Sequence, residues 1–131
     1  MGLCSTFITF NSINNILTLV YVTDDYSIVF YDVVKNKQLN IIKNSQKDIC
    51  NLQHCLDKTN KRDLILSQSC YNNVQIWNIN DYKCILNLKK MELDYVSVSQ
   101  VCFINHKNKI YIILSSSFND PKFKILICLE I

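Results

Sequence analysis

Two histidines and seven cysteines are the side chains with which this 131-residue chain could do metal or nucleophilic chemistry. Cys50, His54 and Cys55 lie close together in the sequence, and zinc is commonly bound by thiolates and imidazoles. Only two thiols and one imidazole meet there, however, and residues one apart on a strand face opposite ways. We therefore interpret His54 as a core or half-buried histidine, and we predict no metal and no cofactor.

The rest of the sequence does not indicate a catalytic centre. Neither His54 nor His106 has a nucleophile at a sequence spacing that would indicate a catalytic pair. The motifs of serine hydrolases, phosphate-binding glycine loops and zinc proteases are missing. The adjacent carboxylates of Asp24 and Asp25 fit a tight turn, because Asp side chains there bond their own backbone. The chain is therefore predicted not to be an enzyme.

Cysteine usage and charge limit the class of protein further. The cysteines are odd in number and scattered without a Cys-x-x-Cys pair, at Cys4, Cys50, Cys55, Cys70, Cys84, Cys102 and Cys128. With no secretory leader, we interpret them as reduced thiols of a cytoplasmic protein, used as small hydrophobic side chains. The net charge of +3 is mild, so any charge argument must be local. No apolar run approaches the roughly 18 residues of a transmembrane helix.

The N-terminus has two interpretations. Gly2 and Thr6 fit the pattern for N-terminal myristoylation, and Cys4 would then be a palmitoylation site. The alternative is a first strand that begins at about Ser5. Stable anchoring needs a second acyl chain or a nearby basic patch, and the next lysine is Lys35. We therefore favour the strand.

Short apolar runs, rich in β-branched and aromatic residues, are interrupted by polar turns every eight to twelve residues. This spacing is typical of strands and argues against helices. The predicted strands are residues 5–10, 16–23, 28–34, 38–42, 49–56, 63–69, 74–79, 84–88, 96–104, 110–116 and 123–129. The continuously apolar stretches Leu64–Leu66 and Ile110–Leu114 predict burial on both faces of their sheets.

The strands fall into self-similar units. The stretch Val74–Asn78 repeats the pattern of Ile28–Asp32, which lies forty-six residues earlier, with matching apolar runs on either side. Repetition at such a period is typical of repeat architectures. We predict units at residues 1–43, 44–90 and 91–131, and the last of these has three strands in place of four.

These units resemble the WD40 repeats of β-propellers. The third strand closes with Tyr31-Asp32 in the first unit and with Trp77-Asn78 in the second, and the apolar spacing of the first strand also matches. The resemblance implies an all-β propeller segment made of four-stranded antiparallel blades. It also implies a buried hydrogen-bonded set, with Thr23, Asp25 and Tyr31 in the first unit, Ser69 and Trp77 in the second, and Asp32 and Asn78 beside the aromatic residues. Tyr71 stands at the Asp place of the second unit, and Asn44-Ser45 stands where the family has Gly-His.

Propellers close with about four to eight blades, whereas two and three-quarter units are present here. An open arc would expose sheet faces and an unpaired strand edge. We favour a segment of a larger propeller. The alternative is assembly with copies of the chain or with another propeller segment.

The resemblance implies a non-catalytic scaffold for protein–protein interaction, and two surfaces are candidates for the contact. One is formed by turn residues at one end of the blades: Asp25, Tyr26, Tyr71, Asn72 and Asn73. The other, at the opposite end, is a set of basic loops: Lys35, Lys37, Lys58, Lys61, Arg62, Lys83, Lys107 and Lys109. The alternative function is a nucleic-acid-associated module that uses these basic loops, and its binding would fall steeply with added salt.

Overall fold

The computed structural model describes residues 6–43, 47–70, 73–89, 98–116 and 126–131. These residues form eleven β-strands and no helix. The strands are β1 (Phe7–Asn11), β2 (Leu17–Val22), β3 (Ile28–Asp32), β4 (Lys37–Ile42), β5 (Ile49–Asp57), β6 (Arg62–Ser69), β7 (Val74–Asn78), β8 (Lys83–Leu88), β9 (Val98–His106), β10 (Lys109–Ser116) and β11 (Leu126–Glu130). Among the described residues, no helix is long and apolar enough to cross a membrane.

Each predicted strand occurs, with boundaries that differ by a few residues. β9 runs two residues further than predicted, so the expected loop of residues 105–109 shortens to Lys107 and Asn108. At the N-terminus β1 begins at Phe7, and Gly2 and Cys4 lie outside the described residues. The prediction of an all-β chain is confirmed.

The strands form three antiparallel sheets, each made of neighbours in the sequence. Sheet 1 has the order β1-β2-β3-β4, sheet 2 has β5-β6-β7-β8, and sheet 3 has β9-β10-β11. The register between third and fourth strands shifts after Phe30 in sheet 1 and after Ile76 in sheet 2. The two irregularities are forty-six residues apart, and each directly precedes the aromatic residue of its unit. Sheets 1 and 2 therefore share a backbone feature as well as a strand order.

Sheet 2 lies between the other two sheets, and each of its faces is covered. Ile65 belongs to an apolar cluster with sheet 1, whereas Leu64 and Leu66 belong to a cluster with sheet 3. The predicted two-sided burial of Leu64–Leu66 is confirmed. The same prediction for Ile110–Leu114 is wrong, because Tyr111 and Ile113 are only partly buried. Within the described residues, only sheet 2 packs on sheet 3, and it covers a single face.

The first strands of the three sheets contact each other in sequence order, β1 with β5 and β5 with β9. At the first of these contacts, the ring of Phe10 stacks on His54 with 3.7 Å between centroids. At the second, the amide group of Gln53 donates to the carbonyl of Val101 and accepts from the N–H of Phe103 at 3.3 Å. Side chains therefore connect each sheet to the next along their first strands.

The loops that join first to second and third to fourth strands lie at one end of all three sheets. Within a sheet this follows from antiparallel order. Between sheets, the N–H of Ile13 donates to Asp63 Oδ2 at 2.9 Å, and Thr59 Oγ1 donates to the carbonyl of Asn108 at 3.4 Å. These bonds join equivalent ends of neighbouring sheets, so the basic loops lie together at one end of the three sheets.

Candidate functional site

In the first of the two predicted surfaces, the polar groups of the turn residues are largely used in hydrogen bonds within their own turns. Thr23 Oγ1 donates to the carboxylate of Asp25, and the same carboxylate accepts from the N–H of Ser27 at 3.3 Å. The hydrogen bond from Thr23, followed by those from Ser27, lowers the pKa of Asp25 below its usual value. Tyr26 adopts a positive φ of 63° at the tip of this turn. Asp25 thus stabilises the turn in which it lies.

The equivalent turn of sheet 2 is described only in part. Tyr71 and Asn72 lie outside the described residues. The carbonyl of Asn73 accepts from the N–H of Ser69 at 2.9 Å, which closes the connection between β6 and β7. The turns of sheets 1 and 2 therefore use backbone and side-chain polar groups internally.

Of the residues that the WD40 resemblance assigns to a buried hydrogen-bonded set, Thr23 and Asp25 do bond to each other, but Asp25 is exposed and this bond lies at the surface. The hydroxyl of Tyr31 donates instead to Asn36, in the loop at the opposite end of its sheet. Ser69 Oγ donates to the carbonyl of Lys47 at 2.8 Å. Trp77 Nε1 is buried without a hydrogen-bond acceptor among the described residues.

Asp32 and Asn78, which follow the aromatic residues, have equivalent roles. Asp32 Oδ1 accepts from the N–H of Lys35 at 3.0 Å, and Asn78 Oδ1 accepts from the N–H of Asn80 at 3.0 Å. Both side chains organise the turn that follows the third strand of their sheet, as Asp and Asn commonly do in turns. Both units therefore use the side chain after the aromatic residue to accept a bond within the following turn, from the third residue on in sheet 1 and from the second in sheet 2.

The second predicted surface lies at the end where the first-to-second and third-to-fourth loops meet. We define the basic loop face as the eight basic residues predicted there. Six of them are exposed and form no ion pair within the described ranges: Lys35, Lys37, Lys58, Lys61, Lys83 and Lys107. The other two are paired, Arg62 Nε with Asp57 Oδ2 at 2.7 Å and Lys109 Nζ with Glu130 Oε1 at 3.4 Å. The six exposed lysines are the available cations of this face.

The acidic residues at this end are mostly buried. Asp57 is 2% exposed, and its carboxylate accepts from the backbone and side-chain amides of Asn60, at 3.2 and 2.9 Å, as well as from Arg62. Burial by itself would raise the pKa of Asp57, but the hydrogen bonds from Asn60 and Arg62 outweigh it and lower the pKa. Asp32 and Asp63 are also buried. Three carboxylates at this end are thus buried, whereas Asp81 and Glu130 are exposed beside the lysines.

His54 has a partner that the sequence did not reveal. Its Nε2 lies 2.8 Å from Asp63 Oδ1, and the second carboxylate oxygen of Asp63 accepts from Ile13. A His–Asp pair can orient a catalytic base, but among the described residues no nucleophile is hydrogen-bonded to this histidine. The interpretation as a half-buried histidine is confirmed, and the pair links sheets 1 and 2. The sequence could have indicated this pair through the hairpin register. Once Asp57 pairs with Arg62, His54 and Asp63 are diagonal neighbours on one face of the sheet.

The cysteines are distributed differently from the prediction. Cys55 is half-buried against the apolar cluster between sheets 2 and 3, and burial raises the pKa of its thiol. The other five described cysteines are free thiols but are exposed, so use as small hydrophobic side chains fits Cys55 better than Cys50, Cys70, Cys84, Cys102 and Cys128. They lie on outward strand positions or in a turn. In the part of the chain that the structure describes, no three His, Cys, Asp or Glu side chains could hold a metal ion together.

Comparison with known proteins adds no assignment. The chain matches no protein-family model, no curated protein and no solved structure. The function must therefore be argued from the geometry described above.

Proposed function

We propose that this chain is a non-catalytic protein-interaction scaffold, built as a segment of a WD40-like β-propeller. The support is the arrangement of the sheets: three antiparallel sheets pack face to face, and their first strands run side by side. The two four-stranded sheets also share a register irregularity at equivalent positions. From the scattered cysteines we infer a cytoplasmic location.

The basic loop face is the proposed contact surface, and its exposed lysines carry the proposal. Cations that lack an internal partner, clustered at one end of the fold, attract and orient an anionic partner. The turn residues at the opposite end are weaker candidates, because Asp25 and Asn73 already bond within their own turns. We infer that the partner presents an acidic protein segment.

Nucleic acid is the alternative partner, since phosphates would also be attracted to these lysines. Modules that bind single strands add aromatic side chains on which bases stack. Tyr31 bonds to Asn36 in one basic loop and Tyr82 lies in another, and both rings are partly buried. Tyr82 contacts Phe30 edge-on at 5.1 Å between centroids, and burial raises its pKa. This geometry favours the acidic protein segment.

The test compares charge reversal at the two ends of the sheets. Lys58→Glu with Lys61→Glu alters the basic loop face, whereas Lys43→Glu with Lys47→Glu makes the same change in net charge at the opposite end. Fluorescence anisotropy would follow binding of a labelled oligoglutamate peptide and of a labelled single-stranded RNA at several salt concentrations. We expect the first double variant to weaken peptide binding at least about tenfold and the second to change it less than about threefold.

Equal losses in the two double variants would contradict the proposed face, because only net charge would then matter. RNA binding that is much tighter than peptide binding, with a steep salt dependence, would favour the nucleic-acid alternative. Circular dichroism of each variant checks that the strands are retained.

A further inference from the structure

Three hairpin loops at the basic end of the fold have the same form. They join β3 to β4, β5 to β6 and β7 to β8, and the residues that open and close them pair with each other: Asp32 with Lys37, Asp57 with Arg62 and Asn78 with Lys83. In each loop the residue before the second strand has a positive φ: Asn36 at 53°, Lys61 at 51° and Tyr82 at 57°. Each loop therefore presents a basic residue at the same point, where the second strand begins.

The three basic residues differ in what they contact. Arg62 is paired with Asp57 across its own loop. Lys37 and Lys83 are exposed, and neither forms an ion pair within the described ranges. Asp32, which lies opposite Lys37, instead accepts from a backbone N–H of its own turn. Lys37 and Lys83 are thus two equivalent cations on neighbouring sheets, forty-six residues apart in the chain.

Sheets 1 and 2 pack against each other beside these two lysines. Leu39, two residues after Lys37, contacts the apolar cluster between the sheets. Tyr82, which directly precedes Lys83, contacts the same cluster, and its ring meets Phe30 at 5.1 Å between centroids. Because sheets packed face to face lie about 10 Å apart, equivalent positions are separated by about the same distance. This places the two lysines about 10 Å apart where their side chains leave the backbone.

A peptide in the polyproline II conformation matches this separation. The conformation is common in chains without fixed structure, has three residues per turn and rises about 3.1 Å per residue. Every third side chain therefore lies on one side of the peptide, and successive ones are about 9 Å apart. At physiological ionic strength the screening length is about 8 Å, so a carboxylate interacts mainly with the nearest ammonium group. Carboxylates at every third residue can thus pair with both lysines at once.

We propose that Lys37 and Lys83 select a partner segment in the polyproline II conformation that has an acidic residue at every third position. The segment runs across the ends of sheets 1 and 2, from the β3–β4 loop to the β7–β8 loop, and each lysine binds one carboxylate. This selectivity rests on the function proposed above and gives the acidic segment a charge pattern. Lys35 does not form a second pair of this kind, because the equivalent residue of sheet 2 is Asp81, an exposed carboxylate.

Two peptides of identical composition test the charge pattern. Both contain four glutamates and eight prolines, which favour the polyproline II conformation. The matched peptide has glutamate at every third residue. The control has glutamate at every second residue followed by the remaining prolines, so no two of its carboxylates are three residues apart.

Fluorescence anisotropy would give the dissociation constant of each labelled peptide for the full chain. We expect the matched peptide to bind at least about fivefold more tightly at about 150 mM salt. At about 10 mM salt the screening length grows to about 30 Å, so the net charge that the two peptides share dominates. The difference between the peptides should then fall below about twofold.

Three variants that each remove one positive charge test the two lysines. They are Lys37→Gln, Lys83→Gln and Lys35→Gln, and the last is the control because Lys35 lies in the same loop as Lys37. We expect either of the first two to reduce the preference for the matched peptide to less than about twofold. Lys35→Gln should weaken both peptides equally and keep the preference. Circular dichroism of each variant checks that the strands are retained.

Failure of the charge pattern and failure of the proposed function give different results. If both peptides bind equally at about 150 mM salt, and Lys58→Glu with Lys61→Glu weakens both, the basic loop face binds acidic segments but the charge pattern is overturned. A loss of preference in Lys35→Gln as large as in Lys37→Gln would overturn it as well. If neither peptide binds, or if the Lys58→Glu with Lys61→Glu protein binds them as tightly as the unmodified chain, the proposed function fails together with the charge pattern.

Discussion

At the scale of single residues, buried carboxylates organise the end of the fold that carries the basic loops. Asp57 holds its own hairpin through Asn60 and Arg62, and Asp63 joins His54 to Ile13 of the neighbouring sheet. A buried carboxylate is tolerated only when its oxygens are hydrogen-bonded. These side chains therefore stabilise the fold, and the exposed lysines around them form no ion pair within the described residues.

Asp57 should make the stability of the protein depend on pH. Its pKa in the folded chain lies below the usual value of 3.8, so its ionised form stabilises the fold above about pH 4, and this contribution is lost as the pH falls through the lowered pKa. Asp57→Asn should reduce the free energy of unfolding at pH 7 by about 1–3 kcal/mol. It should also flatten the decline of stability in acid, as measured by urea unfolding at pH 7, 5 and 3.

The control for this prediction is Asp81→Asn, since Asp81 is exposed and, among the described residues, its side chain accepts from the N–H of Lys83 alone, at 3.1 Å. We expect its effect at pH 7 to stay within about 0.5 kcal/mol. An Asp57→Asn protein that loses stability in acid as steeply as the unmodified chain would show that another carboxylate is responsible.

At the scale of strands and turns, the chain makes left-handed turns without glycine. Eight of the described residues, none of them glycine, have a positive φ: Asn15, Tyr26, Asn36, Asp48, Lys61, Tyr82, Lys107 and Asn108. Asn and Asp tolerate this conformation, whereas Lys and Tyr adopt it at a steric cost. The packing of the flanking strands must therefore impose several of these turns.

Lys61→Gly should increase stability for this reason. Lys61 has a φ of 51°, and a side chain in the left-handed region costs about 1–2 kcal/mol, of which the greater flexibility of glycine in the unfolded chain cancels roughly 0.5–1 kcal/mol. We expect a net gain of about 0.5–1 kcal/mol in the free energy of unfolding, measured by urea titration. Lys58→Gly is the matched control, because Lys58 lies in the same loop without a positive φ; it should be neutral or destabilising. A gain of the same size in both variants would rule out relief of turn strain.

At the scale of the whole molecule, the three sheets are unequally protected. Seven of the eight residues of β6 are buried, because sheet 2 is covered on both faces. The outer sheets expose apolar side chains on their far sides, including Phe7, which is 61% exposed, and Ile104.

Amide hydrogen exchange should reflect this order. Because local opening is least favourable where both faces of a strand are buried, we expect β6 and β7 to exchange at least about tenfold more slowly than β1 and β11. Mass spectrometry of peptic fragments, or NMR, measures this directly. Uniform protection across the three sheets would indicate that they unfold as a single cooperative unit, and slower exchange in β10 than in β6 would contradict the central place of sheet 2.

Strand positions were predictable from the sequence because they depend on local properties. β-branched and aromatic runs between polar turns specify where the chain is extended, and the structure confirms each of the eleven runs. The basic loops could be grouped as well, since antiparallel order alone assigns alternate connections to opposite ends of a sheet. The WD40 resemblance and the binding function rest on the same patterns and stay predictions.

Tertiary structure decided which neighbours each side chain has. Only the packing of sheet against sheet shows that Leu64–Leu66 is covered on both faces, whereas the described residues cover Ile110–Leu114 on one. The hairpin register places Arg62 beside Asp57 and Asp63 beside His54. A distant loop brings Ile13 to the same carboxylate of Asp63. The sequence by itself determined where the strands lie, because that depends on adjacent residues. The contacts between sheets, such as that of Ile13 with Asp63, join residues far apart in the chain, so only the folded arrangement could decide them.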